Sequence, residues 1–120
     1  MNRYLIDTNV IIKSLQGNPA CIEIIQGSKV YLSIVTEIEL KVWDELQKKD
    51  DVIIDGFLSQ CFVHNFYLSL KPAIIFFRKK YKLKLPDAII VATAYDNGLP
   101  LVSSEKKFQK IIDLPIIYIE

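Results

Sequence analysis

The sequence predicts an α/β fold: a three-layer α/β/α sandwich on a mostly parallel central sheet. Three observations carry this. Apolar strand-like runs alternate with helix-like runs along the chain, and the first strand-like run, Tyr4-Leu5-Ile6, lacks the polar alternation of a half-solvated strand. A nearly uncharged helical segment, Leu85 to Ala94, belongs at the centre of the fold. At 120 residues, a single domain over positions 1–120 is expected, large enough to bury a core without disulfide or metal staples.

In order, Tyr4 to Ile6 is the first strand and Val10 to Leu15 the first helix, entered through Asp7-Thr8-Asn9. Gln16-Gly17-Asn18-Pro19 breaks the pattern, and Ala20 to Gln26 completes a short helical hairpin before Gly27. Lys29 to Ser33 reads as the second strand. Thr36 to Lys48 reads as a longer helix with Ile38, Val42 and Leu46 inward and Glu37, Lys41, Glu45 and Lys48 outward. A charged turn, Lys48 to Asp51, leads to a short helix, Val52 to Gln60, and a third strand, Cys61 to His64. Tyr67 to Tyr81 is helical, with Pro72 in its first turn. Leu85 to Ala94 starts on Pro86 at the first helical position and stops at Asn97-Gly98. Leu101-Val102 is a short strand, Ser103 to Ile112 a turn and helix, and Ile116 to Ile119 the last strand.

Composition excludes several classes. A net charge of +1 is not that of a globally basic nucleic-acid binder, so charged patches must carry any such argument. Cys21 and Cys61 stand far apart in apolar segments, which suits two buried free thiols in a reducing cytosol. With His64 as the single histidine, zinc is disfavoured. Asp7 interrupts any signal-peptide core, and no run approaches the roughly 18 apolar residues of a membrane span. A cytoplasmic protein with no membrane partner is expected. A hydrophobic fraction of 51% favours some apolar surface being covered by another chain, and Val10 to Leu15 with Ile22 to Ile25 is where that excess lies.

The chemistry lies in a recurring arrangement: an acid at or near the start of a helix, usually after an apolar strand. Asp7 follows the first strand, Glu39 the second and Glu105 the Leu101-Val102 strand, while Asp87 opens the central helix. In a parallel sandwich these points share one edge of the sheet, where open α/β folds place ligands. Each acid has a structural explanation too. Asp7 suits a helix cap, Thr36 with Glu39 has the spacing of a capping box, Asp87 is favoured by the helix dipole, and Ser103 to Glu105 resembles another capped start. Taken together, carboxylates on one rim repel by on the order of 4 kcal/mol per pair at about 4 Å and an effective dielectric of about 20, so a cation is needed. Oxygen-only ligands select a hard ion, Mg²⁺ or Mn²⁺, of the kind that activates water in phosphodiester hydrolysis.

Before Asp87 runs Arg78-Lys79-Lys80-Tyr81-Lys82-Leu83-Lys84, five cations in seven residues. These five, Arg78, Lys79, Lys80, Lys82 and Lys84, suit either a solvated helix end or contact with RNA phosphates, with Lys106, Lys107 and Lys110 near the fourth acid. Tyr81 has the shape to stack on an unpaired base.

Four segments, Leu5 to Val10, Ser33 to Leu40, Leu85 to Ala94 and Leu101 to Phe108, resemble in order and spacing the motifs of PIN domains, and the short single-domain form is similar to VapC-type toxins. The resemblance covers nearly the whole chain. It implies a Mg²⁺- or Mn²⁺-dependent endoribonuclease of a toxin–antitoxin pair, commonly a homodimer, inhibited by a small antitoxin protein. Asp7, Glu39 and Asp87 fall on the acidic metal positions and Glu105 on the fourth. Thr8, Asn9 and Ser103 fall on polar supporting positions, and Thr36 shares a face with Glu39. Two departures stand out: Glu105 replaces the usual Asp, and Lys107 stands where a further Asp often follows.

Two other readings compete. A non-catalytic Mg²⁺-binding module of the phosphoacceptor receiver kind wants an acidic pair after the first strand, where Asp7 stands alone. A degenerate PIN scaffold that binds RNA or protein without cleavage is allowed by Glu105.

Overall fold

In this computed structural model, residues 1–43 and 48–120 are described. Five strands, β1 (Asn2–Ile6), β2 (Ser28–Ser33), β3 (Phe62–His64), β4 (Leu101–Ser103) and β5 (Ile116–Tyr118), form one sheet in the order β3, β2, β1, β4, β5. Every neighbouring pair is parallel. The apolar run of β1 is explained by its central place. Leu5 faces one core cluster with Leu70, Phe77, Val91 and Phe108, and Ile6 faces the other with Val10, Ile11, Cys21, Leu32 and Leu40. Leu101 and Val102 divide the same way, and all four are fully buried, each contributing about 1.5–3 kcal/mol by transfer from water.

The helices cover both faces. Helices α1 (Thr8–Leu15), α2 (Pro19–Gln26), α3 (Ile34–Lys41) and α4 (Lys48–Ser59) supply Val10, Ile11, Cys21, Leu40 and Ile54 to one cluster. Helices α5 (Lys71–Tyr81) and α6 (Leu85–Asp96) supply Ile74, Phe77, Ala88, Ile90, Val91, Ala92 and Ala94 to the other. The near-absence of charge in α6 has its cause here, because the helix is buried around most of its circumference. Both it and α5 carry proline in the first turn.

The region after β2 departs from expectation. Helix α3 starts at Ile34, capped by Ser33, whose hydroxyl accepts from the Val35 amide at 3.1 Å. Thr36 and Leu40, four residues apart, are the face that this helix turns inward. Ile38 and Val42 are 54% and 67% exposed rather than inward. The helix ends at Lys41, and Lys48 to Asp51 belongs to α4 instead of forming a turn. Glu45, Leu46 and the Lys48 side chain lie outside what is described. After β4, Lys106–Lys110 is a 3-10 helix, anchored by fully buried Phe108, instead of an α-helix.

Cys21 is buried and Cys61 half-buried, both free. Among the described residues no helix is long and apolar enough to cross a membrane. Where the apolar excess was expected, Val10 and Ile11 are consumed by the core, Ile12, Ile22, Ile24 and Ile25 are partly covered and Leu15 is exposed. Further exposed large apolar side chains sit at Ile38, Val42, Val52 and Ile53, and at Phe62, Phe66 and Leu68.

Between α5 and α6 the chain turns through Lys82 at φ 55°, the left-handed region that disfavours a side chain. Lys82→Gly is therefore expected to stabilise the protein by about 0.5–1 kcal/mol, read as a higher denaturation midpoint. An unchanged or lower midpoint would contradict this strain.

Candidate active site

The chain builds β1, β2 and β3 outward in one direction, then returns across β1 to lay down β4 and β5 on its other side. The switch point lies between β1 and β4, where a parallel sheet opens a crevice beyond its carboxyl ends. The residues that leave these two strands meet there. The Asp7 amide donates to the Val102 carbonyl at 2.9 Å, and the Ser103 hydroxyl donates to Asp7 Oδ2 at 2.8 Å. Asp7 Oδ1 accepts from the Thr8 amide, also at 2.8 Å, so the carboxylate caps α1 while its second oxygen is held by β4. The cap and site roles of Asp7 are thus compatible.

Asp7 is 4% exposed, and burial pushes its carboxyl from an ordinary 3.8 up to about 6. The Ser103 and Thr8 hydrogen bonds pull it down, while the charges of Glu105 and Asp87 push it further up. Three of the four sequence-predicted acids therefore share one electrostatic environment.

Glu39, on the exposed edge of α3, is tied in through a hydroxyl pair. Thr8 Oγ1 donates to Glu39 Oε1 at 2.7 Å and lies 3.0 Å from the Oγ1 of fully buried Thr36. Because Ser33 caps α3, Thr36 and Glu39 form no capping box, and their hydroxyl and carboxylate are directed to α1 instead. Asn9 Nδ2 donates to Glu105 Oε1, and the Glu105 amide donates to Ser103 Oγ at 3.0 Å. Ser103 thereby joins Asp7 to the turn that carries the fourth acid. Thr8, Asn9, Thr36 and Ser103 each contact an acid or its partner.

Asp87, in the first turn of α6, is paired differently. Its Oδ2 lies 2.6 Å from the Lys107 ammonium, which Asp87 first, with Glu105 and Asp7 behind it, holds above the ordinary lysine range against the opposing effect of burial. Sequence reasoning missed this ion pair. Its one trace was the lysine two residues after Glu105, where an acid would be usual. Among the described residues, no three Asp, Glu, His or Cys side chains converge as a ready-made metal cage. The donors that are present are carboxylates and hydroxyls around a buried, charge-strained Asp7, a set that fits a hard divalent ion.

The basic run is only partly free to meet a ligand. Arg78 Nε donates to the Leu83 carbonyl at 3.1 Å, and Lys80 is 3.0 Å from Asp113. Lys79, Lys82 and Lys84 are exposed, and Lys84 immediately precedes α6, three residues before Asp87. Tyr81 is engaged internally, its ring against Phe77 and its hydroxyl bonded to Asp113, which leaves less of it for base stacking than its sequence position suggested.

Residues 4–114 match the PIN domain family. The chain belongs to the PIN domain family. Among solved structures, this PIN domain is similar to a chain of a toxin–antitoxin complex from Klebsiella pneumoniae, at 28% identity and a TM-score of 0.83, covering 92% of this chain and 94% of that one. It also shares its fold with VapBC2 from Rickettsia felis bound to a promoter DNA fragment, at 17% identity, TM-score 0.84 and coverage of 98% and 99%. DNA-bound VapBC from Salmonella typhimurium gives 19% identity, a TM-score of 0.80 and 97% coverage of both chains. No curated protein matches the sequence. The sheet order of this PIN domain, with β1 between β2 and β4, also differs from the 2-1-3-4-5 order of receiver domains, which removes the phosphoacceptor reading.

Proposed function

We propose that this PIN domain is a cytoplasmic endoribonuclease dependent on Mg²⁺ or Mn²⁺, the VapC-type toxin of a toxin–antitoxin pair. The observation that carries the proposal is the buried Asp7 carboxylate at the switch point, locked to Ser103 and charged against Glu105 and Asp87. Asp7, Glu39, Asp87 and Glu105 are the residues that would hold the ion, with Thr8, Asn9, Thr36 and Ser103 keeping them oriented. When bound there, a divalent ion supplies activation of water and neutralisation of developing charge at a phosphodiester.

The chain's own contribution is placement. Ser103 and the Thr8 amide fix both Asp7 oxygens, and Thr8 fixes Glu39, so these two carboxylates are held in place by the chain's own donors. Exposed Lys79, Lys82 and Lys84 are suited to RNA phosphates beside the first turn of α6. The exposed apolar side chains on α3 and α4 suit a covering protein, which we assign to a small antitoxin or a second copy in a homodimer.

The test is cleavage of a structured RNA set by the purified protein with Mg²⁺, Mn²⁺ or chelator, beside Asp87→Asn. Metal-dependent cleavage that disappears in the variant is expected. Cleavage that survives chelator or Asp87→Asn would overturn the assignment of the site. No cleavage, together with no rise in melting temperature on adding metal, would make the chain a non-catalytic PIN scaffold.

A further inference from the structure

Lys107 has a fixed and unusual place. The buried Phe108 ring pins the 3-10 helix to the core, and Lys107, one residue earlier, reaches from that anchor to Asp87 Oδ2 at 2.6 Å. Lys106 and Lys110 on the same short helix form no ion pair among the described residues. A positive charge therefore already stands in the acidic rim, seated on one of the carboxylates proposed to hold a divalent ion.

An ammonium on Oδ2 and a metal ion compete for the charge of that carboxylate. A hard divalent ion needs an oxygen lone pair at about 2.0–2.2 Å, and two cations drawn to the same group repel each other. The Lys107 side chain is 45% exposed on a flexible stem, so water can take over its ammonium if it withdraws. We propose that Lys107 is a built-in counter-ion that competes with the divalent cation for Asp87, so the site loads metal only as this ammonium gives way. The inference rests on the metal-dependent reading above. It assigns this chain weaker metal uptake than the same site would have without the lysine, and a metal-free rim held together by its own cation.

Calorimetric titration with MnCl₂, with melting temperature as a second readout, tests this in wild type, Lys107→Met, Lys107→Arg and Asp87→Asn. Lys107→Met keeps the stem and removes the charge, and is expected to bind Mn²⁺ about tenfold more tightly while melting lower without metal. Lys107→Arg keeps the charge and is expected to stay within about threefold of wild type. A gain in Lys107→Met below about threefold, with Asp87→Asn still weakening Mn²⁺ binding, overturns the competition and leaves the metal site standing. Absence of Mn²⁺ binding in both wild type and Lys107→Met overturns the competition and the metal-dependent reading together.

Discussion

Asp7→Asn is expected to abolish RNA cleavage and to make the metal-free protein more stable. The two effects have one cause. The folded-state carboxyl titrates at about 6 instead of 3.8, so between about pH 4 and pH 6 the folded protein holds a proton that the unfolded chain has released. Stability therefore falls as pH rises through that window, and above it the whole penalty of the buried charge is present, about 3 kcal/mol at about 1.4 kcal/mol per pKa unit. Asparagine removes the charge, still accepts from the Thr8 amide and can donate to Ser103 Oγ. At pH 7.5 the variant should gain up to about 3 kcal/mol, roughly 10 °C in melting temperature, and the gain should vanish below about pH 4. Saturating Mn²⁺ should narrow the difference by stabilising wild type more. Cleavage within tenfold of wild type would remove Asp7 from the site, and a lower melting temperature at pH 7.5 would refute the buried-charge account.

Ser103→Ala is expected to lower cleavage as well, but with the opposite effect on stability. Its hydroxyl donates to Asp7 and accepts from the Glu105 amide, so the substitution leaves a buried carboxylate oxygen and a backbone donor unpartnered at once. The cost is about 1–3 kcal/mol, larger at pH 7.5 than at pH 4 because a protonated Asp7 needs the bond less. Losing a bond that lowers the Asp7 pKa should also carry its titration upward, extending the stability loss to higher pH. Cleavage should fall about 10–100-fold, with the deficit shrinking as Mn²⁺ is raised. Denaturation at the two pH values and a Mn²⁺ titration of the cleavage rate measure these effects. Lost stability with unchanged cleavage would make Ser103 a structural residue alone.

Much of this architecture was legible in the chain because local pattern and burial agree. Tyr4-Leu5-Ile6 has no polar alternation because helices cover both faces of β1, and Leu85 to Ala94 carries no charge beyond Asp87 because α6 is buried on most sides. Prolines 72 and 86 mark the starts of α5 and α6 because the first helical turn has no use for their missing N–H. Asp7 was legible for a related reason: a carboxylate directly after an apolar strand must lie at the sheet's carboxyl rim wherever the strands are parallel. The region after β2 was less legible. Ile38 and Val42 have the four-residue spacing of an inward stripe, but the face that α3 buries carries Thr36 and Leu40, and only packing decides between two such stripes.

By itself, then, the sequence determined the order of strands and helices, with Asp7 directly after the first strand, and through their alternation the expectation of a parallel sheet, since the elements follow from patterns within a few residues. Tertiary structure alone decided that Ser103 bonds Asp7, 96 residues away, that Thr8 bonds Glu39, and that Lys107 sits on Asp87. The Ser103 bond depends on the crossing from β3 back to β4 beside β1, the Thr8 bond on β1 and β2 being neighbours, and the Lys107 pair on how α6 packs beside the turn after β4; no local periodicity encodes which of these ends meet. The Asp7 pKa belongs to the same class, because it reflects the water excluded by two helical layers and the charges delivered from α6 and the turn after β4.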